Sequence, residues 1–251
     1  MERMDGWARL TLDRPAQKNA LNTALLGAVA DALTALAHDP DIRAVVVTGA
    51  GDNFAAGADI GEIEHKTSAE GATDPRKQSW ARIRAFPKPL IAAVDGFALG
   101  GGFELALMAD VMVLSPRARL GLPETNLGLI PGAGGGQRLM ALAGRARATR
   151  MVLTGEIIDA ATAHGWGIAA YLADDEPRDA YAQLSAQLAA RLAARAPLAL
   201  MAAKRALVTG EESALALTEE RQAFESLLDS ADKSIGIAAF RARTKPEFTG
   251  K

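Results

Sequence analysis

The sequence contains no cysteine, and this absence removes several kinds of chemistry at once. Disulfide bonds, thiolate nucleophiles and cysteine-ligated zinc are excluded, and the composition is compatible with a reducing compartment. Histidine is scarce as well: the 251 residues include three, and none lies in a glycine-rich stretch. A Ser-His-Asp hydrolase and a histidine-ligated metal site therefore find little support.

A strong charge imbalance and long apolar runs are also missing. The formal net charge is −2 and the sequence pI is about 6.0, which does not favour nucleic acid or an anionic membrane as partner. No apolar run is long enough to span a membrane, and the N-terminus MERMDGWARLTLDRP lacks the apolar segment of a signal peptide. With 49% hydrophobic residues, the chain is predicted to be a globular cytoplasmic protein.

Short apolar segments alternate with helical patterns in the first half of the chain. The predicted strands are 8–12, 44–49, 90–94 and 111–114. The predicted helices are 20–37, 76–86 and 102–110. This alternation predicts an α/β fold with largely parallel sheets covered on both faces.

The second half of the chain shows helical patterns and no convincing strand from about residue 130 onward. Pro197 suits the first turn of one of these helices. The chain is therefore predicted to divide softly into an α/β core, residues 1–195, and an all-helical C-terminal region, residues 196–251. The polar stretch 64–78 is interpreted as a mobile surface loop.

One carboxylate stands in the middle of an apolar segment. In FALGGGFELALMADV, residues 97–111, Glu104 lies between Phe103 and Leu105 and directly follows three glycines. Burying an unpaired carboxylate is costly, so Glu104 must be held by partners or used in chemistry. The glycines either only permit a tight strand-to-helix turn or bring backbone N–H groups close to a ligand.

Two further glycine-rich segments contain acidic residues. Glu124 follows a proline in LGLPETNLGLIPGAGGG, and taken alone it is interpreted as a helix cap or a surface charge. The segment TGAGDNFAAGADI has only a faint look of a phosphate-binding loop, because it contains neither a P-loop nor a well-placed dinucleotide motif. Asp59 in this segment suits the N-cap of the following IGEIEH.

Five segments occur here in the order of one known family: LDRPAQKNALN, FAAGADI, FALGGGFELALMADV, LGLPETNLGLIPGAGGGQRL and LTGE. They resemble the crotonase superfamily and most closely enoyl-CoA hydratase, and the final GIAAFRARTKPEFTG resembles that family's ending. The resemblance covers almost the whole chain. It implies a crotonase-like spiral of ββα units with a helical trimerisation region. One departure is that the first strand of the usual hairpin is not evident before WARLTL.

The resemblance also implies an activity and its residues. Coenzyme A would be part of an acyl-CoA substrate, with no separate cofactor. The backbone N–H groups of Ala56 and Gly101 would form an oxyanion hole for a thioester enolate, and a helix N-terminus would favour Gly101. Glu104 would activate water for syn addition to a trans-2-enoyl-CoA, with a pKa lowered by the helix N-terminus. Glu124, with a raised pKa, would protonate C2.

The residues implied in substrate or CoA binding are Lys18, Gly57, Ala58, Asp59, Phe240 and Arg243. Lys18 either meets a CoA phosphate or is a solvated loop residue. Phe240 and Arg243 match an aromatic and a basic residue that reach CoA in the neighbouring subunit, although helix packing explains Phe240 nearly as well. A homotrimer or a dimer of trimers is implied.

The presence of both carboxylates favours hydration over the other activities of the superfamily. Enoyl-CoA isomerase is the first alternative, because isomerases typically need only the acid that matches Glu124. A non-catalytic acyl-CoA-binding or scaffold protein is another alternative. An RNA-binding relative uses a lysine-rich helix, whereas the matching region here, EIEHKTSAEGATDPRKQSWARIR, mixes acids with bases.

Overall fold

The computed structural model describes residues 1–211 and 214–246. The strands in this part of the chain are β1 (Glu2–Arg3), β2 (Trp7–Leu12), β3 (Ala44–Gly49), β4 (Leu90–Val94), β5 (Phe97–Leu99), β6 (Val111–Leu114), β7 (Arg119–Gly121), β8 (Ile157–Asp159) and β9 (Tyr171–Leu172). The helices are α1 (Thr23–His38), α2 (Ile60–Ile63), α3 (Ser68–Ala72), α4 (Pro75–Arg84), α5 (Gly101–Leu107), α6 (Gly135–Ala143), α7 (Arg145–Thr154), α8 (Ala160–Gly165), α9 (Ala180–Ala193), α10 (Pro197–Glu211), α11 (Ala214–Leu227) and α12 (Ala231–Ala242). Short 3-10 helices span Pro15–Gln17 and Glu124–Leu127.

The strands form two sheets that the chain visits in turn. The larger sheet has the order β1-β2-β3-β4-β6-β9, and its strands are parallel except for β1. The smaller sheet has the order β5-β7-β8. β4 and then β5 precede α5, and β6 and β7 repeat the same step between the sheets before α6. This repeated strand–strand–helix unit confirms the predicted α/β fold.

Helices cover both faces of the larger sheet. In β3, Val45 and Val47 belong to the main core beneath α1 and α4, whereas Ala44 and Val46 pack with Leu188 of α9. A parallel strand that is buried on both faces needs a continuous apolar sequence, and AVVV provides it. The pattern that predicted β3 and β4 therefore reflects burial on two sides.

Two predictions about strands were wrong. The chain after residue 130 contains β8 and β9, which are only three and two residues long and so give no alternating pattern. The strand that was not evident before WARLTL is present as β1, which pairs antiparallel with β2. Its two residues, Glu2 and Arg3, are exposed, so no apolar residue marks the strand.

The stretch 64–78 is helical for much of its length, so the prediction of a loop was wrong. Thr67 and Glu70 form a reciprocal capping box at the start of α3. Asp74 caps α4, and Pro75 occupies its first turn. Both signals are visible in the sequence, but the polar composition of these short helices obscured them.

The C-terminal part is helical as predicted, and Pro197 opens α10. The predicted boundary near residue 195 falls between α9 and α10. Residues 247–251, the end of the segment GIAAFRARTKPEFTG, lie outside the described residues. No described helix is long and apolar enough to cross a membrane.

Candidate active site

A mostly apolar cavity of about 480 Å³ is lined by most of the residues that the sequence singled out. Its walls come from the turn after β3, the start of α5, the segment between β7 and α6, and side chains of α4, α11 and α12. Glu104 and Glu124 both line it. The three glycine-rich segments of the sequence therefore meet at one site.

Glu104 is buried, with 4% of its surface exposed, and backbone N–H groups hold its carboxylate. Its Oε1 accepts hydrogen bonds from the N–H groups of Ala133 at 2.7 Å and Gly135 at 3.0 Å. Gly135 is the first residue of α6, so the carboxylate lies at the positive end of a helix. The partners that a buried carboxylate requires are thus amides at the start of α6 and in the loop just before it.

Burial raises the pKa of Glu104 above its ordinary value, although the amides of Ala133 and Gly135 and the charge of Arg138 act in the opposite direction. The expectation that a helix N-terminus lowers this pKa was wrong, because desolvation outweighs the helix dipole and the hydrogen bonds. A carboxylate with a raised pKa is the stronger base. Glu104 is therefore better suited to accept a proton from water than an exposed glutamate.

Glu124 begins the short 3-10 helix after β7 and approaches the glycine turn that precedes α5. Gly100 has φ 49°, and a Cβ placed on it would lie 3.2 Å from Glu124 Oε1. The N–H of Glu104 donates to the carbonyl of the same Gly100 at 2.9 Å. The turn at Gly100 thus brings the Glu124 carboxylate next to the start of α5, the helix that carries Glu104.

The turn after β3 offers the N–H of Ala58 as an oxyanion donor, instead of the predicted N–H of Ala56. The N–H of Ala56 donates to the carbonyl of Lys18 at 2.9 Å, so it is not available to a ligand. Within the described part of the chain, the N–H groups of Ala58 and Gly101 have no hydrogen-bond partner, and both residues line the cavity. A Cβ placed on Gly101 would lie 3.7 Å from Ala58 N. The pair that can bind an oxyanion is therefore Ala58 and Gly101.

A buried asparagine holds the turn that carries Ala58. Asn19 is fully buried, and its side chain donates to the carbonyls of Ala50 and Asn53 and accepts from Arg14 N–H at 2.9 Å. Its neighbour Lys18 has φ 48° and places its Nζ 5.2 Å from the centre of the Phe97 ring at the cavity wall. Lys18 is therefore an exposed residue at the cavity wall, with its cation beside an aromatic ring.

The other predicted binding residues divide into two groups. Gly57, with φ 110°, lines the cavity, as does the half-exposed ring of Phe240 from α12. Asp59 does not line the cavity: it caps α2 and forms an ion pair with Arg14 at 2.8 Å. Arg243 ends α12 with φ 55° and is absent from the cavity wall. The structure thus gives Asp59 the capping role that its position in the sequence suggested.

Among the cavity residues that were not found from the sequence, four lie on α4 and α11. They are Arg76 and Trp80 of α4 and Arg221 and Phe224 of α11. Arginine and an aromatic residue recur in each helix at a spacing of four or three, which places them on one helix face. Only that spacing could have signalled them, and amphipathic packing produces the same pattern.

The site combines two carboxylates with a pair of amide donors that have no partner among the described residues, and apolar walls enclose it. This combination defines an enzyme that moves protons next to a carbonyl group. The amides stabilise the negative charge that such proton transfer places on the carbonyl oxygen. A family model described as enoyl-CoA hydratase/isomerase matches residues 2–251. The chain belongs to this family, which is also called the crotonase family.

Relatives and solved structures agree with that assignment. The 2,3-dehydroadipyl-CoA hydratase of Escherichia coli (strain K12) is 48% identical over 96% of this chain and 94% of its own. A probable enoyl-CoA hydratase of Mycobacterium bovis is 40% identical over 96% and 93%. The crystal structure of an enoyl-CoA hydratase from Mycobacterium avium subsp. paratuberculosis matches with a TM-score of 0.86 and 33% identity, covering 98% of this chain and 96% of that one. The protein is an enoyl-CoA hydratase-like enzyme, a hydro-lyase, and its family implies an acyl-CoA substrate.

Proposed function

We propose that the enzyme adds water to trans-2-enoyl-CoA thioesters and releases 3-hydroxyacyl-CoA. The observation that carries this proposal is the position of Glu104. Its buried carboxylate, oriented by Ala133 and Gly135, opens onto the cavity that Glu124 also lines. Addition of water needs one group to take a proton from water and one to supply a proton to carbon.

The thioester carbonyl oxygen binds between the N–H groups of Ala58 and Gly101. When water attacks C3, negative charge moves to this oxygen, and preorganised amide donors stabilise it by roughly 3–4 kcal/mol each. Gly101 is the first residue of α5, so its N–H also lies at the positive end of a helix. Neither donor titrates, and the hole therefore functions at every pH at which the protein is folded.

Glu104 takes the proton from the attacking water, and Glu124 supplies a proton to C2. A raised pKa suits Glu104 to this task, since a base is most effective when its pKa approaches the working pH. Both carboxylates line the same cavity, and in this proposal they act from the same side of the bound double bond. The addition is accordingly syn.

The relative with 48% identity is named for 2,3-dehydroadipyl-CoA, an enoyl-CoA whose acyl chain ends in a second carboxylate. We propose the same class of substrate here, a trans-2-enoyl-CoA with a terminal carboxylate. Neutral enoyl-CoAs of the same length should also be hydrated, because the carboxylate pair and the amide donors act on carbons 1 to 3 only.

Exposed apolar side chains in the C-terminal helices support a homo-oligomer, either a trimer or a dimer of trimers. Leu198 and Leu207 of α10 are 79% and 73% exposed, and Phe240 of α12 is 60% exposed. Large apolar side chains that remain open to water in a single chain mark surfaces for association. Phe240 also lines the cavity, so such a contact would lie beside the substrate.

The proposed function is tested by adding purified protein to trans-2-enoyl-CoA and following the loss of the conjugated thioester absorbance. Hydration should proceed at roughly 1–10³ s⁻¹, and the reverse reaction from 3-hydroxyacyl-CoA should reach the same equilibrium. The isomerase alternative is tested in parallel with a 3-enoyl-CoA. Conversion of 3-enoyl-CoA without hydration of 2-enoyl-CoA would contradict the proposal.

A further inference from the structure

Two arginines line the apolar cavity, although the proposed reaction at the thioester uses neither of them. Arg76 of α4 is 6% exposed, and the side chain of Arg221 of α11 is 16% exposed. Guanidinium groups stay charged at all working pH values, and a buried charge is costly unless an anion compensates it. Their presence in an acyl pocket therefore needs a reason.

Existing ion pairs do not supply that reason. Asp74 is bound by Lys66 at 2.7 Å as well as by Arg76, and Glu225 is bound by Lys77 at 2.8 Å as well as by Arg221. Each carboxylate thus has a lysine of its own. In this cluster four cations share two carboxylates, and of the four cations the two arginines line the cavity.

Hydrogen-bonding capacity also remains on both arginines. Arg76 uses Nε and Nη2 toward Asp74, and Arg221 uses Nε toward Glu225 and Nη2 toward the carbonyl of Gly71. Among the described residues, Nη1 of each arginine has no partner. An arginine carries five N–H donors in a fork that fits a carboxylate. Arg76 and Arg221 can therefore donate hydrogen bonds to a bound anion without losing their present bonds.

Each helix places its arginine one turn beyond the reacting groups. Trp80 lies against the oxyanion turn, with Cζ2 3.7 Å from a Cβ placed on Gly101, and Arg76 precedes it by one turn of α4, about 5.4 Å. Phe224 covers Gly132, beside the amides that hold Glu104, at 3.0 Å from a Cβ placed there.

The arginine of α11 lies next to that aromatic ring. The guanidinium of Arg221 is 4.9 Å from the centre of the Phe224 ring. An acyl chain that starts at Gly101 and runs between Trp80 and Phe224 would therefore end at both arginines.

We propose that Arg76 and Arg221 bind a carboxylate at the far end of the acyl chain and so select enoyl-CoAs derived from dicarboxylic acids. The proposal rests on the proposed function for the direction in which the acyl chain enters. It assigns specificity to two side chains of α4 and α11 that take no part in hydration. Trp80 and Phe224 enclose the apolar middle of the chain.

Binding of saturated acyl-CoAs tests this subsite without any chemistry. Adipyl-CoA and hexanoyl-CoA have equal chain lengths and no double bond, so titration calorimetry compares a terminal carboxylate with a methyl group directly. Hydrogen bonds to charged groups are among the stronger ones, and adipyl-CoA should bind the wild-type protein roughly tenfold or more tightly than hexanoyl-CoA. Equal affinities would overturn the proposal.

The variant Arg221→Gln should reduce the preference for adipyl-CoA to near one while the affinity for hexanoyl-CoA stays within about threefold, because loss of packing alone would weaken both ligands. Arg221→Lys, which keeps the charge but loses the planar fork, should retain part of the preference and provides a second variant if the first does not fold. Arg82→Gln is the matched control: Arg82 of α4 pairs with Asp31 of α1 and does not line the cavity.

A preference that survives Arg221→Gln, or one that Arg82→Gln abolishes equally, would overturn the assignment to the cavity arginines. Hydration of trans-2-hexenoyl-CoA by the wild-type protein separates the two proposals. Hydration without a preference for adipyl-CoA would reject the carboxylate subsite and the substrate class that it selects, and would keep the hydratase activity. A preference for adipyl-CoA without hydration of any enoyl-CoA would reject the proposed function and keep the subsite.

Discussion

The substitution Gly135→Ala should impair catalysis because the new methyl group would displace the carboxylate of Glu104. A Cβ at residue 135 would lie 2.7 Å from Glu104 Cγ, 3.0 Å from its Oε1 and 3.2 Å from Leu122 Cδ2. Real Cβ atoms do not approach other carbons to 2.7 Å, so Glu104 must move. Two amides hold its carboxylate, so any shift, including one into the cavity that it lines, disturbs the hydrogen bonds that orient the base.

The size of the effect follows from these distances. Restoring an ordinary contact of about 3.5 Å requires Glu104 to shift by about 0.8 Å, and misplacement of a catalytic group by about 1 Å lowers rates by roughly 10²-fold. The free energy of unfolding should fall by about 1–3 kcal/mol, the usual effect of one extra methyl group in a packed interior. The KM for enoyl-CoA should change little, because Ala58 and Gly101 keep their positions.

The assay is steady-state hydration of a trans-2-enoyl-CoA, with chemical denaturation of the same preparation. The matched control is Gly27→Ala in the middle of α1, where a new Cβ meets nothing within 4 Å. That control should keep full activity and gain up to about 1 kcal/mol of stability, since alanine is the better helix former. A folded Gly135→Ala protein with the wild-type kcat would show that the contact with Glu104 does not position the base.

Three further predictions concern the surroundings of the site. Burial acts to raise the pKa of Asp74, but hydrogen bonds from Arg76 and Lys66 outweigh it and bring that pKa to about 2, below the ordinary 3.8. Ionised Asp74 should therefore contribute about 2 kcal/mol to the free energy of unfolding above pH 3.8. This contribution should be lost as the pH falls toward 2. Asp74→Asn should lower the free energy of unfolding by at least this much in urea titrations at pH 7, and an unchanged midpoint would contradict the pairing. Asn19→Ala should destabilise the protein by about 1–3 kcal/mol because it leaves buried carbonyls unpaired, and the melting temperature measures this. Removal of residues 196–251 should give monomeric or insoluble protein, whereas a truncated trimer in light scattering would refute association through the C-terminal helices.

Much of the fold was predictable because its central strands are buried on both faces. The segments AVVVTG and LIAAV can be continuous and apolar only in such strands, and the structure has them as β3 and β4. Burial of Glu104 was predictable because it is a lone acid inside an apolar segment. Such an acid needs partners that the fold must supply. The sequence could not identify those partners, because the amides of Ala133 and Gly135 come from a segment about thirty residues away.

Several of the errors share a physical cause, which is that backbone groups leave no trace in the side-chain sequence. In AAGAD, Ala56 and Ala58 have the same side chain, and only the hydrogen bond to the Lys18 carbonyl shows which N–H is already used. β8 and β9 are held by two or three residue pairs each and need no pattern of their own. The pKa of Glu104 depends on the balance between burial and hydrogen bonds, and both depend on the folded structure.

The central claim, that hydration needs Glu104 and Glu124 together, is tested most directly by kcat for hydration in Glu104→Gln, Glu124→Gln and the double variant. Glutamine keeps the shape and accepts hydrogen bonds but cannot take or release a proton. Each single substitution should lower kcat by roughly 10²–10⁴-fold. The double substitution should be scarcely worse than either single one, because groups that act as a unit are strongly non-additive. Near-normal hydration by Glu104→Gln, or fully additive losses in the double variant, would contradict the account.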